Sequence, residues 1–381
     1  MKTRNEKEIV SMHFPEIKKK LGFGCMRLPL LADKTVDRAA FSQMVDRFLA
    51  AGFNYFDTAH GYLNGESERA LRDCLTARHP RERYILTNKL STYHFEREDE
   101  IRPLFESQLK ISGVDYFDFY LMHAQDSVLY EKFTRCRAYE IAAELLAEGK
   151  IRHLGISFHD RAELLERILT EHPEVEIVQI QFNYVDFEDP VVEARKVYEV
   201  CRRFGKPILV MEPVKGGALA KLPPSAAGIL DALGGGSPAS YAIRFAAGFP
   251  GVEVVLSGMG DMAMLEDNVG FMQEPAPLTE REREAIDRVT AILRRGDTIP
   301  CTDCRYCMER CPKGIEIPSL FACLNSKRAY NNWNSAYYYK IRTQGGGRAS
   351  DCIGCGACEA ACPQKLPVRD LLKEVAKEFE K

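Results

Sequence analysis

The chain has 381 residues, 45% of them hydrophobic and 28% charged, with a formal net charge of −3. That balance suits a folded globular protein of two or three domains. A weakly acidic chain without a basic stripe sets nucleic acid aside as a partner. The first residues are polar and lack the apolar core of a secretory leader. No apolar run approaches the roughly 20 residues that cross a bilayer. The expectation is a cytoplasmic protein with no membrane span.

Short apolar runs recur at 21–25, 54–56, 84–90, 116–123, 151–157, 177–183, 207–213 and 252–259. They are rich in Ile, Val, Leu, Tyr and Phe and too short for most helices, so they read as buried strands. The segments between them are helical in pattern. Phe41, Met44, Val45, Phe48 and Leu49 fall on one helical face, with Gly52 as a stop. Leu164, Leu165, Ile168 and Leu169 repeat the pattern. Eight strands alternating with eight helices over about 250 residues predict a (β/α)8 barrel, an α/β fold. The rival, a doubly wound open sheet, is weakened because no Gly-x-Gly-x-x-Gly follows the first strand. The stretch GGGSP at 234–238 reads equally as a flap over the barrel mouth or as a surface loop. Residues 274–280 are Pro-rich and polar. The expected division is a barrel over 1–275, a linker helix over 276–295 and a small cysteine-rich domain over 296–381.

Nine of the thirteen cysteines lie between Cys301 and Cys362. In a long cytosolic chain such a cluster points to metal rather than to disulfides. Cys301, Cys304, Cys307 and Cys311 precede Pro312, and Cys352, Cys355, Cys358 and Cys362 precede Pro363. Both runs have the bacterial ferredoxin spacing for [4Fe–4S] clusters. Three thiolates on a tight loop reach three corners of one cube, and the fourth ligates the other cluster. Cys301, Cys304, Cys307 and Cys362 are therefore assigned to one cluster, and Cys352, Cys355, Cys358 and Cys311 to the other. Zinc sites usually pair two Cys-x2-Cys knuckles across a longer spacer, unlike these dense runs. The domain resembles an α+β two-cluster ferredoxin, with an insert of roughly 40 residues between the runs. The insert's Trp333 and Tyr337–Tyr339 read as packing, and Cys323 as a buried thiol. Cys74, Cys136 and Cys201 read as core or helix-face residues, and Cys25 as filler near the pocket mouth.

In such barrels the active residues sit at the C-terminal ends of the strands. Asp57, Lys89 and His123 end the second, third and fourth predicted strands, and Tyr62 lies in the loop after Asp57. A buried Lys needs a carboxylate partner, which Asp57 supplies. A charged Lys beside a Tyr is expected to lower the phenol from its usual value of about 10, so that it gives a proton to a developing alkoxide. A neutral His orients the carbonyl. Singly each residue has a structural reading; four complementary groups at successive strand ends point to a site.

The pieces LGFGCMRLP, FDTAHGY, LTNKL, YLMH, GIS, QIQFN, EPVKGGAL and LSGMGDMAMLEDN resemble the aldo-keto reductases, and the whole chain resembles their ferredoxin-fused branch. The resemblance implies a nicotinamide cofactor and carries that family's tetrad onto Asp57, Tyr62, Lys89 and His123. It places the nicotinamide amide contacts on Ser157 and Gln179, the stacking position on Met211, and an adenine contact on Asn268. Lys215 and Gly216 fall where a pyrophosphate is met. The positions that hold a 2′-phosphate fall near Gly258 and Met264, neither of them charged, so NADH is not disfavoured. The implied function is interconversion of a small carbonyl and an alcohol by hydride transfer, with the clusters passing electrons to or from a protein partner. Two alternatives stand beside it: a flavin-linked electron-transfer enzyme, and a non-catalytic electron carrier or redox sensor with a vestigial barrel.

Overall fold

The computed structural model describes residues 12–294, 298–301, 303–308, 310–331 and 333–381. Its strands are β1 (Leu21–Gly24), β2 (Tyr55–Asp57), β3 (Ile85–Leu90), β4 (Phe117–Gln125), β5 (Ile151–Phe158), β6 (Ile177–Gln181), β7 (Ile208–Met211) and β8 (Val252–Ser257). Each pairs in parallel with the next, and β8 returns to β1, closing the barrel in sequence order. Every residue of β2, β3, β6 and β8 is buried, as parallel strands covered on both faces require. Tyr55, Ile85, Phe119, Leu121, Ile177 and Leu209 meet inside as one cluster. Phe14 and Ile17, ahead of β1, join that cluster and stop the N-terminal end. Chemistry is thereby left to the C-terminal mouth. Gly155 must be glycine here, since a Cβ would lie 2.5 Å from Leu121 and 2.8 Å from the Ile177 carbonyl oxygen.

The outer ring is formed by α1 (Arg38–Ala50), α2 (Glu66–Leu71), α3 (Ile101–Ser112), α4 (Ser127–Arg135), α5 (Ala138–Ala147), α6 (Ala162–Glu171), α7 (Ala194–Arg203), α8 (Pro224–Asp231), α9 (Pro238–Ala247) and α10 (Met262–Met272). α1 starts on the Asp37 cap and buries Phe41, Met44, Val45, Phe48 and Leu49. The strict one-helix alternation is broken after β4 and after β7, where two helices follow each strand. The Gly-rich stretch 234–238 leads into α9. The Ser237 hydroxyl donates to Asp267 at 2.6 Å, and Gly235 N donates to Tyr241 at 3.1 Å. It is a tied surface connection rather than a flap. Then α11 (Glu280–Arg294) lays Ile286 and Val289 against Leu230 and Tyr241.

The cysteine-rich part contains α12 (Ile317–Tyr330), α13 (Asn334–Gln344), α14 (Ala357–Ala361) and α15 (Val368–Phe379). A parallel bridge joins Ile315 and Gly347. This part docks on the barrel mouth. Arg342 of α13 pairs with Asp160, which follows β5, both of them buried, and donates to the Val191 carbonyl at 2.9 Å. Arg161 donates to Glu316 at 2.8 Å and to Ser319 at 2.9 Å. A buried ion pair adds little net stability, but removing one partner is costly, so the pair defines where α13 sits. Among the described residues no helix is long and apolar enough to cross a membrane.

Candidate active site and cluster cradles

Asp57, Tyr62, Lys89 and His123 converge at the mouth. Asp57 and Lys89 are inward-facing ends of neighbouring strands, and Lys89 Nζ donates to Asp57 Oδ1 at 2.6 Å and to the Thr58 carbonyl at 2.8 Å. Gln179 of β6 donates to the other Asp57 oxygen at 3.1 Å. The ammonium lies 5.0 Å from the Tyr62 ring centre. The Tyr62 and His123 rings meet edge to face at 5.9 Å. Tyr62 opens a tight turn in which Leu63, Asn64 and Gly65 all have positive φ, 53°, 56° and 85°. Ala124 also has a positive φ, 55°, and the register of β4 on β5 shifts there. Strained backbone and bulges concentrate where side chains are aimed for function.

Burial would lower the Lys89 ammonium, but Asp57 and Tyr62 outweigh it and hold the group above its usual value. Burial raises Asp57, although Lys89 and Gln179 both favour its charged form. His123 is pushed well below the usual imidazole range, first by burial and then by Lys89, His159 and His94, so it is neutral. Its Nδ1 is engaged by the Ser91 hydroxyl at 2.6 Å, which leaves Nε2 for the mouth. The expected lowering of Tyr62 is corrected: burial raises the phenol, and Lys89 only partly offsets it. Loss of hydration of a phenolate costs more here than one ammonium shared with Asp57 returns.

The positions that resemblance gives to a dinucleotide are unequal. Ser157 is buried and its hydroxyl has no partner, and it is the direct register partner of Gln179 on the neighbouring strand. An orphaned hydroxyl beside the tetrad suits a bound amide. Met211 ends β7, half-buried. Asn268 is buried with its amide donating to Ser257 at 2.7 Å. Met264 is exposed on α10. The Lys215 expectation is corrected: its ammonium is buried, bound to Asp186 at 2.5 Å and covered by the Tyr330 ring at 4.9 Å. A cation committed to a buried carboxylate does not serve a pyrophosphate. The charge in that region is Arg27. Its stem runs past Gly258 and its guanidinium reaches Gly216, with Glu212 at 4.0 Å. Cys25 is fully buried, its thiol on the Phe23 carbonyl.

The cysteines form two cradles. Cys301, Cys304, Cys307 and Cys362 line one cavity with Pro318, Phe321 and Leu366. Cys311, Cys352, Cys355 and Cys358 line another with Ile315, Ile353 and Leu372. Ile317 lines both. Each cradle thus takes three thiols from one run and one from the other, within an apolar wall. Among the described residues no group of three or more His, Cys, Asp or Glu is arranged around a single metal ion. Four thiols facing one apolar cavity are the donor set of a [4Fe–4S] cube. Cys323 is buried on α12, as are Cys74, Cys136 and Cys201 in the barrel part.

Sequence reasoning passed over His159, Gln181 and Ser91. The first two lie two residues beyond Ser157 and Gln179, so the strand period places them on the same inward face. The reading of Tyr337–Tyr339 as packing is incomplete. The Tyr338 hydroxyl donates to Gln181 at 3.0 Å, and Tyr337 meets the His159 ring at 5.4 Å. No local signal could have linked residues so far apart in the chain.

A family model described as the aldo/keto reductase family matches residues 20–291, and one described as a 4Fe-4S dicluster domain matches residues 300–366. Aldo-keto reductase family 1 member C3 of Pongo abelii is 30% identical over 169 residues, 40% of this chain and 50% of that protein. The NADH-specific methylglyoxal reductase of Escherichia coli is 27% identical over 197 residues, 46% of this chain and 57% of that protein. The chain thus spans about half the length of the curated relatives it matches. Among solved structures, aldo-keto reductase AKR11C1 of Bacillus halodurans superposes with a TM-score of 0.56 at 24% identity, over 71% of this chain and 92% of that one. An aldo-keto reductase of Klebsiella pneumoniae in complex with NADPH gives 0.58 at 19%, over 72% and 95%. At these identities the superpositions speak for the fold alone.

Proposed function

This chain belongs to the aldo/keto reductase family of oxidoreductases and carries a dicluster ferredoxin domain, and from that premise we propose that it interconverts a small carbonyl compound and its alcohol with a nicotinamide cofactor. The observation that carries the reading is the bonded Asp57–Lys89 pair beside Tyr62 and His123. When bound, the nicotinamide supplies or accepts the hydride, with Ser157 and Gln179 facing its amide. Tyr62 holds the proton that the developing alkoxide takes, and Lys89 stabilises the phenolate left behind. Ser91 donating to His123 Nδ1 leaves the Nε2–H to hydrogen-bond the carbonyl oxygen and orient it. Turnover of aldehydes with NADH or NADPH by anaerobically purified holoprotein tests the reading.

The two cradles would hold [4Fe–4S] clusters in the crossed arrangement, each passing one electron at a time to or from a protein partner. Cys301 shares a cleft with Asp189 and Pro190 of the barrel part, whereas the second cradle is lined by cysteine-rich-domain residues alone. Ile353 and Cys355 there are exposed, which gives an electron-transfer protein access. Cofactor extraction from the same preparation tests the rival in which a flavin occupies the mouth.

The raised Tyr62 phenol sets the pH profile. The acid form serves reduction and persists wherever the pH is below its shifted value. Reduction is therefore expected to keep its rate from pH 7 to 9 and to fall only above about 10, while oxidation rises over the same range. A falling limb in kcat/KM for reduction below pH 9 would show that Lys89 dominates in the working enzyme.

NADH is expected to bind at least as tightly as NADPH, because a 2′-phosphate dianion is poorly held without charge-assisted bonds and Gly258 and Met264 supply none. Fluorescence titration of holoprotein at one salt concentration checks this. Strong NADPH preference would overturn it and place Arg27 on the 2′-phosphate.

A further inference from the structure

The mouth contains polar groups that the tetrad does not use. On β5 and just beyond it, Ser157 and His159 face inward; on β6, Gln179 and Gln181 do. The first of each pair belongs to the tetrad's surroundings. The second of each pair meets α13 of the cysteine-rich part, Gln181 through Tyr338 at 3.0 Å and His159 through the edge of Tyr337 at 5.4 Å. One turn on, Arg342 is held by Asp160 and Val191, so α13 is fixed as a wall of the mouth.

Buried polar atoms on both sides of that contact lack partners, among them Arg342 Nε on α13. The Tyr337 hydroxyl and His159 Nδ1 are buried and hydrogen-bond no protein group. Leaving such a group unsatisfied is costly, so two cases on rings 5.4 Å apart mark a place suited to a ligand group. Tyr62, His123, His159 and Tyr337 all keep part of their surface open, so α13 narrows the mouth without filling it. The tetrad is near: His159 is among the groups that hold His123 neutral, and the Tyr62 phenol is among those acting on Tyr337.

The charges around the pair select the ligand. Lys89 is committed to Asp57 and Arg342 to Asp160. His159 is held down to about 4 by burial and then by Lys89. Asp126 and Asp160 lie on the Tyr337 side. A phenol and a neutral imidazole suit a hydroxyl that both donates and accepts.

Resting on the carbonyl–alcohol reading above, we infer that Tyr337 of the cysteine-rich domain and His159 of the barrel form a binding site for a hydroxyl group of a neutral hydroxy-carbonyl substrate whose carbonyl lies at Tyr62. The cluster-bearing domain then takes part in choosing the substrate. A site built to bond a hydroxyl discriminates against the analogue lacking it more strongly than an apolar pocket discriminates by size.

The test compares glyceraldehyde with propanal, which lacks both hydroxyls, in holoprotein with NADH. The native enzyme is expected to favour glyceraldehyde in kcat/KM by tenfold or more. Tyr337→Phe, which removes one oxygen, is expected to cut that preference about tenfold, through KM, with propanal turnover and NADH affinity unchanged. An unchanged preference in Tyr337→Phe overturns the site. If neither aldehyde turns over, the carbonyl reading fails, and a second measurement decides the site by itself. Trp333 is the only tryptophan of the chain and lies 5.9 Å from Tyr337, ring to ring. Saturable change of its fluorescence with glycerol but not with 1,2-dimethoxyethane, which is of the same heavy-atom count and has no hydroxyl, lost in Tyr337→Phe, keeps the hydroxyl site. The same response to both compounds, or none, overturns it.

Discussion

Replacing Cys311 with alanine is expected to remove the cluster bound by Cys352, Cys355 and Cys358 and to spare the one bound by Cys301, Cys304, Cys307 and Cys362. The two cavities each draw their fourth thiol from the opposite run. Two complete [4Fe–4S] sites call for about eight irons and eight sulfides per chain, so the variant should retain about half of each. Cys362→Ala should give the complementary loss. Iron and sulfide analysis with electron paramagnetic resonance of the reduced protein separates the two. If Cys311→Ala instead empties the site that contains Cys301, the ligation is uncrossed. Stoichiometric zinc without iron in the anaerobic native protein would discard clusters altogether.

Tyr62→Phe carries the second large effect. Its ring stays beside Lys89 and His123, so the pocket keeps its shape while the proton is gone. Positioned acids contribute about 10²–10⁴-fold, and kcat for carbonyl reduction should fall by that factor with cofactor affinity little changed. The Asp57–Lys89 pair needs no phenol to persist, since Thr58 and Gln179 complete its bonding. An undiminished kcat would remove Tyr62 as the acid and the tetrad mechanism with it.

The barrel was readable because parallel strands covered on both faces are continuous apolar runs, and because α1 carries its stripe in five buried positions. The tetrad was readable for a related reason: strand ends such as Asp57 and Lys89 must come together once the barrel closes. What the sequence concealed depends on contacts across long separations. Lys215 looked available beside its glycines, and only the fold brings Asp186 and Tyr330 onto it. The sign of the Tyr62 shift needed the depth of burial, which no motif encodes. The three tyrosines of the insert could not be told from packing until α13 was seen against β5 and β6.

The docking of α13 has a consequence for how the molecule is made. Asp160 finds Arg342 182 residues further along the chain. At about 5–20 residues per second, the ribosome delivers that arginine roughly 10–40 s after the aspartate. Throughout that interval the nascent barrel is an open cup whose rim carboxylate is hydrated, and Gln181 and His159 face water. The rim is finished only when the last quarter of the chain has emerged and folded against it. Completion of the mouth is therefore tied to the folding of the cysteine-rich domain, and a chain that ends before α13 is expected to leave Asp160 without its arginine.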